Sequence, residues 1–395
     1  MAATSRLLPV ELSKAGFITS KPECCPQALN SAVGLRRLLP SHSVQQQKVA
    51  NNVAGCLPTS FWGKQLPGER KQVQVGRAPA PRLQAVSIRA SSDGDKGTIA
   101  VAGGTGFIGS KLVEKLLNEG YKVKVLTRSA DKAKSVFSGK SIEIAEPHQW
   151  NQALAGTTGV VNLVGTPIAT RWNEEVKADI KASRIKTTKR LVDAINALPQ
   201  NQRPKAFVSS SALGYYGISD TARFVEDSPS GNDYLAQVCR EWEAAAKGVN
   251  GPRLVLVRTG IVLDKDGGAL AKMIPLFQLF AGGPLGSGRQ WFSWVHRDDL
   301  ANLIIEALEN PKYEGPVNGT APNPVTLGEM CDKLGQALGR PSWLPVPEFA
   351  VRSLLGEGAS TVLEGQRVLP KKAQDLGFTF KYPEISGALR AIVAS

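Results

Sequence analysis

The sequence predicts an α/β fold, a doubly wound parallel sheet with a smaller C-terminal α/β lobe, and three observations carry this. From Thr98 onward short apolar runs alternate with amphipathic helical patterns. A glycine-rich turn joins the first run to the first helix. After about Gly260 the alternation gives way to frequent Pro and Gly (Pro275, Gly282, Gly283, Pro284, Gly286, Gly288), the texture of a second lobe closing over the sheet edge.

The elements follow in order. Thr98–Ala102 reads as a strand, Phe107–Asn118 as a helix and Lys122–Thr127 as the next strand. Gly159–Val164, rich in Val, is a further strand. A long helix is expected over Glu174–Leu198, with Val176, Ile180, Leu191 and Ile195 on its apolar face. Ala206–Ser210 is a strand, Tyr234–Lys247 a helix and Leu254–Arg258 a strand. Helices near Asp298–Glu309 and Leu327–Leu338 fall in the Pro-rich part. The expected organisation is a Rossmann domain over residues 97–260, its sheet completed by later segments, and a substrate-binding lobe over 261–395.

The turn Gly103-Gly-Thr-Gly106-Phe-Ile-Gly109 ends a strand and opens a helix. Gly103 permits the tight turn, Gly106 lets backbone approach a pyrophosphate, and Gly109 lets helix and strand pack closely. The N–H groups around Thr105, Gly106, Phe107, Ile108 and Gly109 and the helix dipole then favour phosphate. The second strand ends at Thr127-Arg128, where an NAD site usually carries an acid for the ribose 2′-hydroxyl. Arg128 reverses that charge and suits a 2′-phosphate, so NADP is the expected cofactor. Ser129 and Lys132 are further candidates for the same contact.

The formal charge of +14 is concentrated at the start of the chain. Residues 1–90 hold 12 Lys/Arg against Glu11, Glu23 and Glu69, which leaves only +5 for the rest. That excess does not call for a nucleic-acid partner. The first 90 residues are rich in Ser, Gln, Pro, Arg and Ala and show no sustained apolar period, as a disordered organelle transit peptide does. A plastid is favoured over a mitochondrion by the run Val86-Ser-Ile-Arg-Ala90, which resembles a stromal processing site. No run reaches the roughly 18 apolar residues of a membrane span. Outside the presequence only Cys239 and Cys331 remain, too few for a disulfide framework or a zinc site. His296 has no second ligand at metal spacing, and no Gly-x-Ser-x-Gly elbow appears.

Beyond the glycines the chain resembles the extended short-chain dehydrogenase/reductase superfamily, and within it the atypical "epimerase family" branch. The resemblance rests on Asn162-Leu-Val-Gly165, Arg171-Trp172, Lys177, Ser183-Arg184, Thr187, Ser209-Ser-Ser-Ala-Leu-Gly-Tyr215-Tyr216-Gly217, Trp242-Glu243 and Arg258-Thr-Gly260-Ile-Val-Leu263. It extends through about 345–390, which is similar to the branch's C-terminal domain of unknown function. It implies that Gly165 belongs to the cofactor site. It also implies a Ser at the end of the fifth strand, a Tyr that donates or accepts the proton and a Lys four residues later. Here these positions are Ser211 (or Ser210), Tyr234 and Val238. The Tyr–Lys pair is therefore incomplete. The nearest cations along the chain are Arg240 and Lys247, and six residues on a helix turn Arg240 away from Tyr234. Tyr234 reads either as a general acid that stays protonated or as a core aromatic at a helix start.

The remaining polar candidates each carry two readings. Arg171-Trp172 is a lid contact or a buried helix entry. Arg258 pairs with a substrate anion or with an internal acid. Asp298 or Asp299 caps the following helix or acts in catalysis. The plastid members of the branch imply a stromal protein, peripheral on the inner envelope, that works with the plastid-division machinery. The alternative is an active NADPH-dependent reductase or epimerase on a small carbonyl or sugar-nucleotide substrate.

Overall fold

The computed structural model describes residues 96–395. The transit-peptide reading of residues 1–90 lies outside these residues. The central sheet has seven parallel strands: β1 (Thr98–Ala102), β2 (Lys122–Leu126), β3 (Glu143–Ala145), β4 (Gly159–Asn162), β5 (Ala206–Ala212), then Arg253–Thr259 and Gly315–Gly319. Their spatial order is β3-β2-β1-β4-β5, followed by the Arg253 and Gly315 strands. The chain runs outward from β1 in one direction, returns, and continues from β4 in the other. This creates a crevice at the carboxyl ends of β1 and β4, where open α/β sheets bind ligands.

Both sheet faces are covered. On one side Leu112 and Leu116 of the helix Phe107–Asn118, with Leu303 and Ile304 of the helix Arg297–Glu309, bury Val101, Val255 and Val257. On the other, Leu191 and Ile195 of the helix Glu174–Asn196, with Ala246 of the helix Tyr234–Lys247, bury Val160, Phe207 and Leu256. Two-sided burial explains why residues 99–102 of β1 and 159–161 of β4 carry no polar side chain.

Segments beyond residue 260 complete the sheet. The helix expected near Asp298–Glu309 lies on the main sheet, and Gly315–Gly319 pairs with Arg253–Thr259 to form its edge. Leu300, Leu303, Ile304 and Ala307 of that helix are all fully buried against the sheet. A separate core is built from Leu270, Phe277, Trp294, Met330, Leu334 and Leu389. The C-terminal segment also returns, since Gln366–Val368 pairs with Ser219–Phe224. Asp299 fastens this return by accepting the N–H groups of Lys381 (2.8 Å) and Tyr382 (2.9 Å).

Strand ends differ from expectation by a residue or two, with local causes. β4 stops at Asn162 because the amide of that fully buried residue takes over. Its Nδ2 donates to Thr188 Oγ1 (2.8 Å) and Ser209 Oγ (3.1 Å), and its Oδ1 accepts the Val164 N–H (3.3 Å). The chain turns there, at the mouth of the crevice.

Candidate active site

The glycine turn has the predicted geometry. Gly103 lies at φ +79°, the left-handed region, and a Cβ there would stand 2.9 Å from the Leu163 carbonyl. A Cβ at Gly109 would stand 2.2 Å from the Gly103 oxygen. Gly106 precedes the helix without any side-chain cap, so the helix start keeps unsatisfied N–H groups. Those groups and the positive end of the helix form an anion cradle. Phe107 and Ile108 contribute backbone to it. Their side chains turn away: the Phe107 ring packs on Gly267 and under the Arg297 guanidinium at 4.7 Å, and Ile108 joins the core.

Above this turn opens a cavity of about 390 Å³, bordered by Gly103, Thr105, Gly106, Thr127, Arg128 and Gly165. No carboxylate lines it, whereas Arg128, Lys186 and Arg190 all do. Arg190 is held in place by donating to the Pro147 carbonyl (3.0 Å) and lying 5.2 Å from the Trp150 ring. Three cations without an acid suit a ligand carrying several negative charges. Ser129 is spent locally, since its Oγ accepts the Lys132 N–H and caps the helix Ala130–Val136. A larger cavity of about 490 Å³ lies beside Lys111, Asp264, Arg297 and Asp298. Its charges neutralise one another, through Lys111–Asp298, Arg297–Asp264 and Lys140–Glu114 pairs, so it offers no comparable anion site.

The hydroxyls of Ser211 and Tyr234 engage separate partners. Ser211 is 2% exposed and donates to Glu243 Oε1 at 2.8 Å. Ser210 is also buried. Beneath Ser211, Glu243 forms a two-pronged ion pair with Arg258 (2.8 and 3.1 Å). Arg258 further donates to the Tyr216 hydroxyl (3.0 Å) and the Glu226 carbonyl (2.9 Å), with the Tyr215 ring 3.5 Å from its guanidinium carbon. Tyr216 donates to Asn318 Oδ1 at 2.6 Å, and burial pushes its pKa up to about 12. Of the two readings of Arg258, the internal acid is the one realised.

Tyr234 opens its helix, which Asp233 caps by accepting the Ala236 N–H (2.9 Å). Its hydroxyl donates to the Lys177 carbonyl at 2.5 Å, and Trp172 meets its ring edge-on at 5.5 Å. Burial raises its pKa, against the opposing pull of Lys177, Lys181 and Arg184, so the phenol stays neutral. Val238 is buried, 2% exposed. Arg240 bonds Ser230 Oγ and the Gly231 carbonyl. The cations around Tyr234 are thus not Arg240 and Lys247 but three residues of the neighbouring helix. Their spacing of four and three residues was the one signal in the sequence that they share a helix face.

Other candidates resolve as structural. The Arg297–Glu309 helix is capped by neither aspartate: His296 Nδ1 accepts the Asp298 N–H (3.0 Å). Asp298 instead meets Lys111, Lys115 and Lys381 at 3.5 to 3.7 Å. Burial pushes His296 down to about 4. Arg171 donates to the Ser353 carbonyl (3.0 Å), and Trp172 Nε1 to that of Ile168 (2.8 Å). Cys239 and Cys331 are both raised to about 12 by burial, which leaves inert thiols. Among the described residues no group of three His, Cys, Asp or Glu is placed to hold a metal ion, and no helix is long and apolar enough to cross a membrane.

Comparison with known proteins extends this geometry. The model of the NAD dependent epimerase/dehydratase family matches residues 99–318, and that of a domain of unknown function (DUF1731) matches 346–392. An Arabidopsis thaliana relative, "Epimerase family protein SDR39U1 homolog, chloroplastic", is 59% identical over 300 residues, 75% of this chain and 86% of that protein. The Bacillus subtilis epimerase family protein YfhF is 38% identical, over 75% of this chain and 98% of that one. The crystal structure of human SDR39U1 (isoform 2) with NADPH superposes with a TM-score of 0.70 at 36% identity, covering 75% of this chain and 99% of that one. With the glycine turn, the sheet order and these matches in agreement, the chain belongs to the NAD-dependent epimerase/dehydratase family, in its SDR39U1-like branch.

Proposed function

We propose that this protein is an NADP(H)-binding plastid protein that acts as a positive regulator of chloroplast division, with hydride chemistry weak or absent. The observation that carries the cofactor half is the acid-free cavity over the glycine turn, with Arg128, Lys186 and Arg190 on its walls. Gly103, Thr105, Gly106, Phe107, Ile108 and Gly109 hold the pyrophosphate, Thr127 and Arg128 the 2′-phosphate end, and Gly165 the approach to the nicotinamide. The human relative solved with NADPH supports the choice of cofactor. The plastid address draws support from the chloroplastic Arabidopsis relative and from the basic, acid-poor first 90 residues. The division role rests on resemblance to the plastid members of the branch, and its partners would be the division machinery at the inner envelope.

When bound, NADPH supplies a hydride for a carbonyl carbon. This chain's own residues support the accompanying proton transfer poorly. The Tyr234 proton is engaged by a backbone carbonyl, Ser211 is turned to Glu243, and Val238 offers no charge. Calorimetric titration tests the cofactor: NADPH binds and NADH binds more weakly, and a flat NADPH trace rejects the reading. Removal of the gene product tests the role: cells then carry fewer, larger chloroplasts, and normal chloroplast number overturns it. The second reading, an active NADPH-dependent reductase or epimerase on a small carbonyl or sugar-nucleotide substrate, is favoured by the cations around Tyr234. Rapid carbonyl reduction that disappears in Tyr234→Phe would establish it.

A further inference from the structure

Among the described residues one non-glycine residue has a positive φ, Phe280 at +59°. It lies just after the helix Leu270–Gln278, where a helix-ending turn normally takes glycine. Its N–H donates to the Phe277 carbonyl and the Ala281 N–H to that of Leu276, each at 2.9 Å. A side chain in that backbone conformation is strained, and glycine would carry no such cost. Phe280 gains no core burial in return, since it is 54% exposed. Strain held at an exposed aromatic points to what that side chain presents outward.

Phe280 does not stand alone. Leu276, Leu279, Trp343 and Leu344 are exposed on the same two segments, so five of the nine exposed large apolar side chains among the described residues share one ridge. The ridge is pre-formed. Trp343 Nε1 donates to the Phe280 carbonyl, and the N–H groups of Trp343 and Leu344 donate to that of Gly282, each at 3.0 Å. A Cβ at Gly283 would stand 2.3 Å from the Leu344 oxygen, so a glycine there is what lets the two segments meet. The Arg340 guanidinium lies 4.7 Å from the Phe280 ring. Beside Arg340 opens a groove of about 420 Å³, lined also by Asp332, Gln336 and Ser342. None of these residues borders the cofactor cavity.

Charge narrows what covers the ridge. The segments that build it, residues 267–290 and 333–347, hold Lys272, Arg289, Lys333 and Arg340 and no Asp or Glu. Among the described residues none of the four pairs with an acid. A second copy would set this basic face against itself, because a two-fold interface joins like patches. The first 90 residues, with 12 Lys/Arg and three acids, carry the same sign. An anionic bilayer would meet the exposed Asp332 with like charge. An aromatic and arginine centre with a polar border is instead the anatomy of a protein interface. We propose that the ridge docks an amphipathic helix of a partner protein. The apolar face of that helix covers Leu279, Phe280 and Trp343, and carboxylates on its polar face meet Arg340.

The test uses a labelled helical peptide with a leucine face and a glutamate face, titrated with the full chain and followed by fluorescence anisotropy. Saturable binding is expected, roughly tenfold weaker when lysines replace the glutamates. Phe280→Gly weakens the glutamate peptide roughly tenfold, while the melting temperature holds or rises because glycine removes the strain. Its NADPH affinity is unchanged. Arg340→Glu reverses the preference between the two peptides. No binding by the unaltered chain, equal binding of both peptides, or a Phe280→Gly chain that binds as before overturns the proposal. If Phe280→Gly fails to fold, Leu279→Ser replaces it: weakened peptide binding then supports the ridge, and unchanged binding rejects it. Sedimentation with phosphatidylcholine–phosphatidylglycerol vesicles that is lost in Phe280→Gly would give the ridge to a bilayer. A dimer that Phe280→Gly dissociates would give it to a second copy. Either result overturns the proposal.

Discussion

The two ends of the cofactor crevice are built in different ways. The proposed adenosine end is made of backbone: a left-handed glycine at 103, a glycine at 109 that admits no Cβ, and an uncapped helix, with cations at the rim. The side chains around Ser211 and Tyr234, which we propose as the nicotinamide end, come from five elements and are mostly committed to one another. Ser211, Glu243, Arg258, Tyr216 and Asn318 form one buried chain of hydrogen bonds, and Tyr234 is tied to the backbone of another helix. A backbone cradle tolerates drift in the surrounding side chains. A constellation of side chains loses its chemistry when one member, here the lysine, is replaced. The same fold can therefore keep nucleotide binding while hydride transfer fades.

That contrast can be broken by experiment, beginning with the largest effect. If Glu243 serves the fold, Glu243→Gln strands the Arg258 charge in the interior and lowers unfolding free energy by roughly 3–5 kcal/mol, measured by urea denaturation. A variant of full stability would show that the network is not structural. Arg128→Glu acts on the other end. It weakens NADPH by roughly 1.5–3 kcal/mol while sparing NADH, and equal loss of both cofactors in calorimetry would remove Arg128 from the 2′-phosphate. Ser211→Ala should cost about 1 kcal/mol of stability, the worth of one internal hydrogen bond, and leave any residual reductase rate untouched. A rate that collapses without loss of stability would return Ser211 to catalysis.

A further effect, a pH dependence, lies at the junction of sheet and lobe. His296 titrates near 4 in the folded chain against about 6.5 unfolded, because burial disfavours the imidazolium despite Asp298 and Asp264, with Lys381 and Lys111 opposing it as well. The unfolded chain therefore binds the extra proton first. The contribution of His296 is complete above pH 6.5 and is lost as pH falls from 6.5 towards 4. Thermal melts should show His296→Asn to be less acid-sensitive than the parent across that window. Parallel curves would exclude His296 as the source.

How much of this was legible in the sequence depended on range. β1, the Phe107 helix and β2 were readable because a strand, a glycine turn and a helix are specified by residues within one short segment. The seventh strand was not placed, because it returns to the sheet after more than fifty residues of intervening lobe. The cap on the Arg297 helix was misassigned to an aspartate. Propensity favours Asp there, and only the turn geometry shows that the His296 ring reaches the Asp298 N–H. The cations nearest Tyr234 were sought on its own helix, whereas close packing of two helices supplies them from the other.

By itself the sequence determined the glycine turn, the positive charge at Arg128 and the absence of a lysine at position 238. These follow from local backbone sterics and the identity of single residues. Only the tertiary structure decided which way Ser211 faces, that Arg258 is spent on Glu243, and that Arg184 bonds the Thr166 carbonyl beside Gly165. Such facts turn on which of several polar groups meet when residues 15 to 102 positions apart are packed to crystal-like density, and local pattern carries no record of that choice.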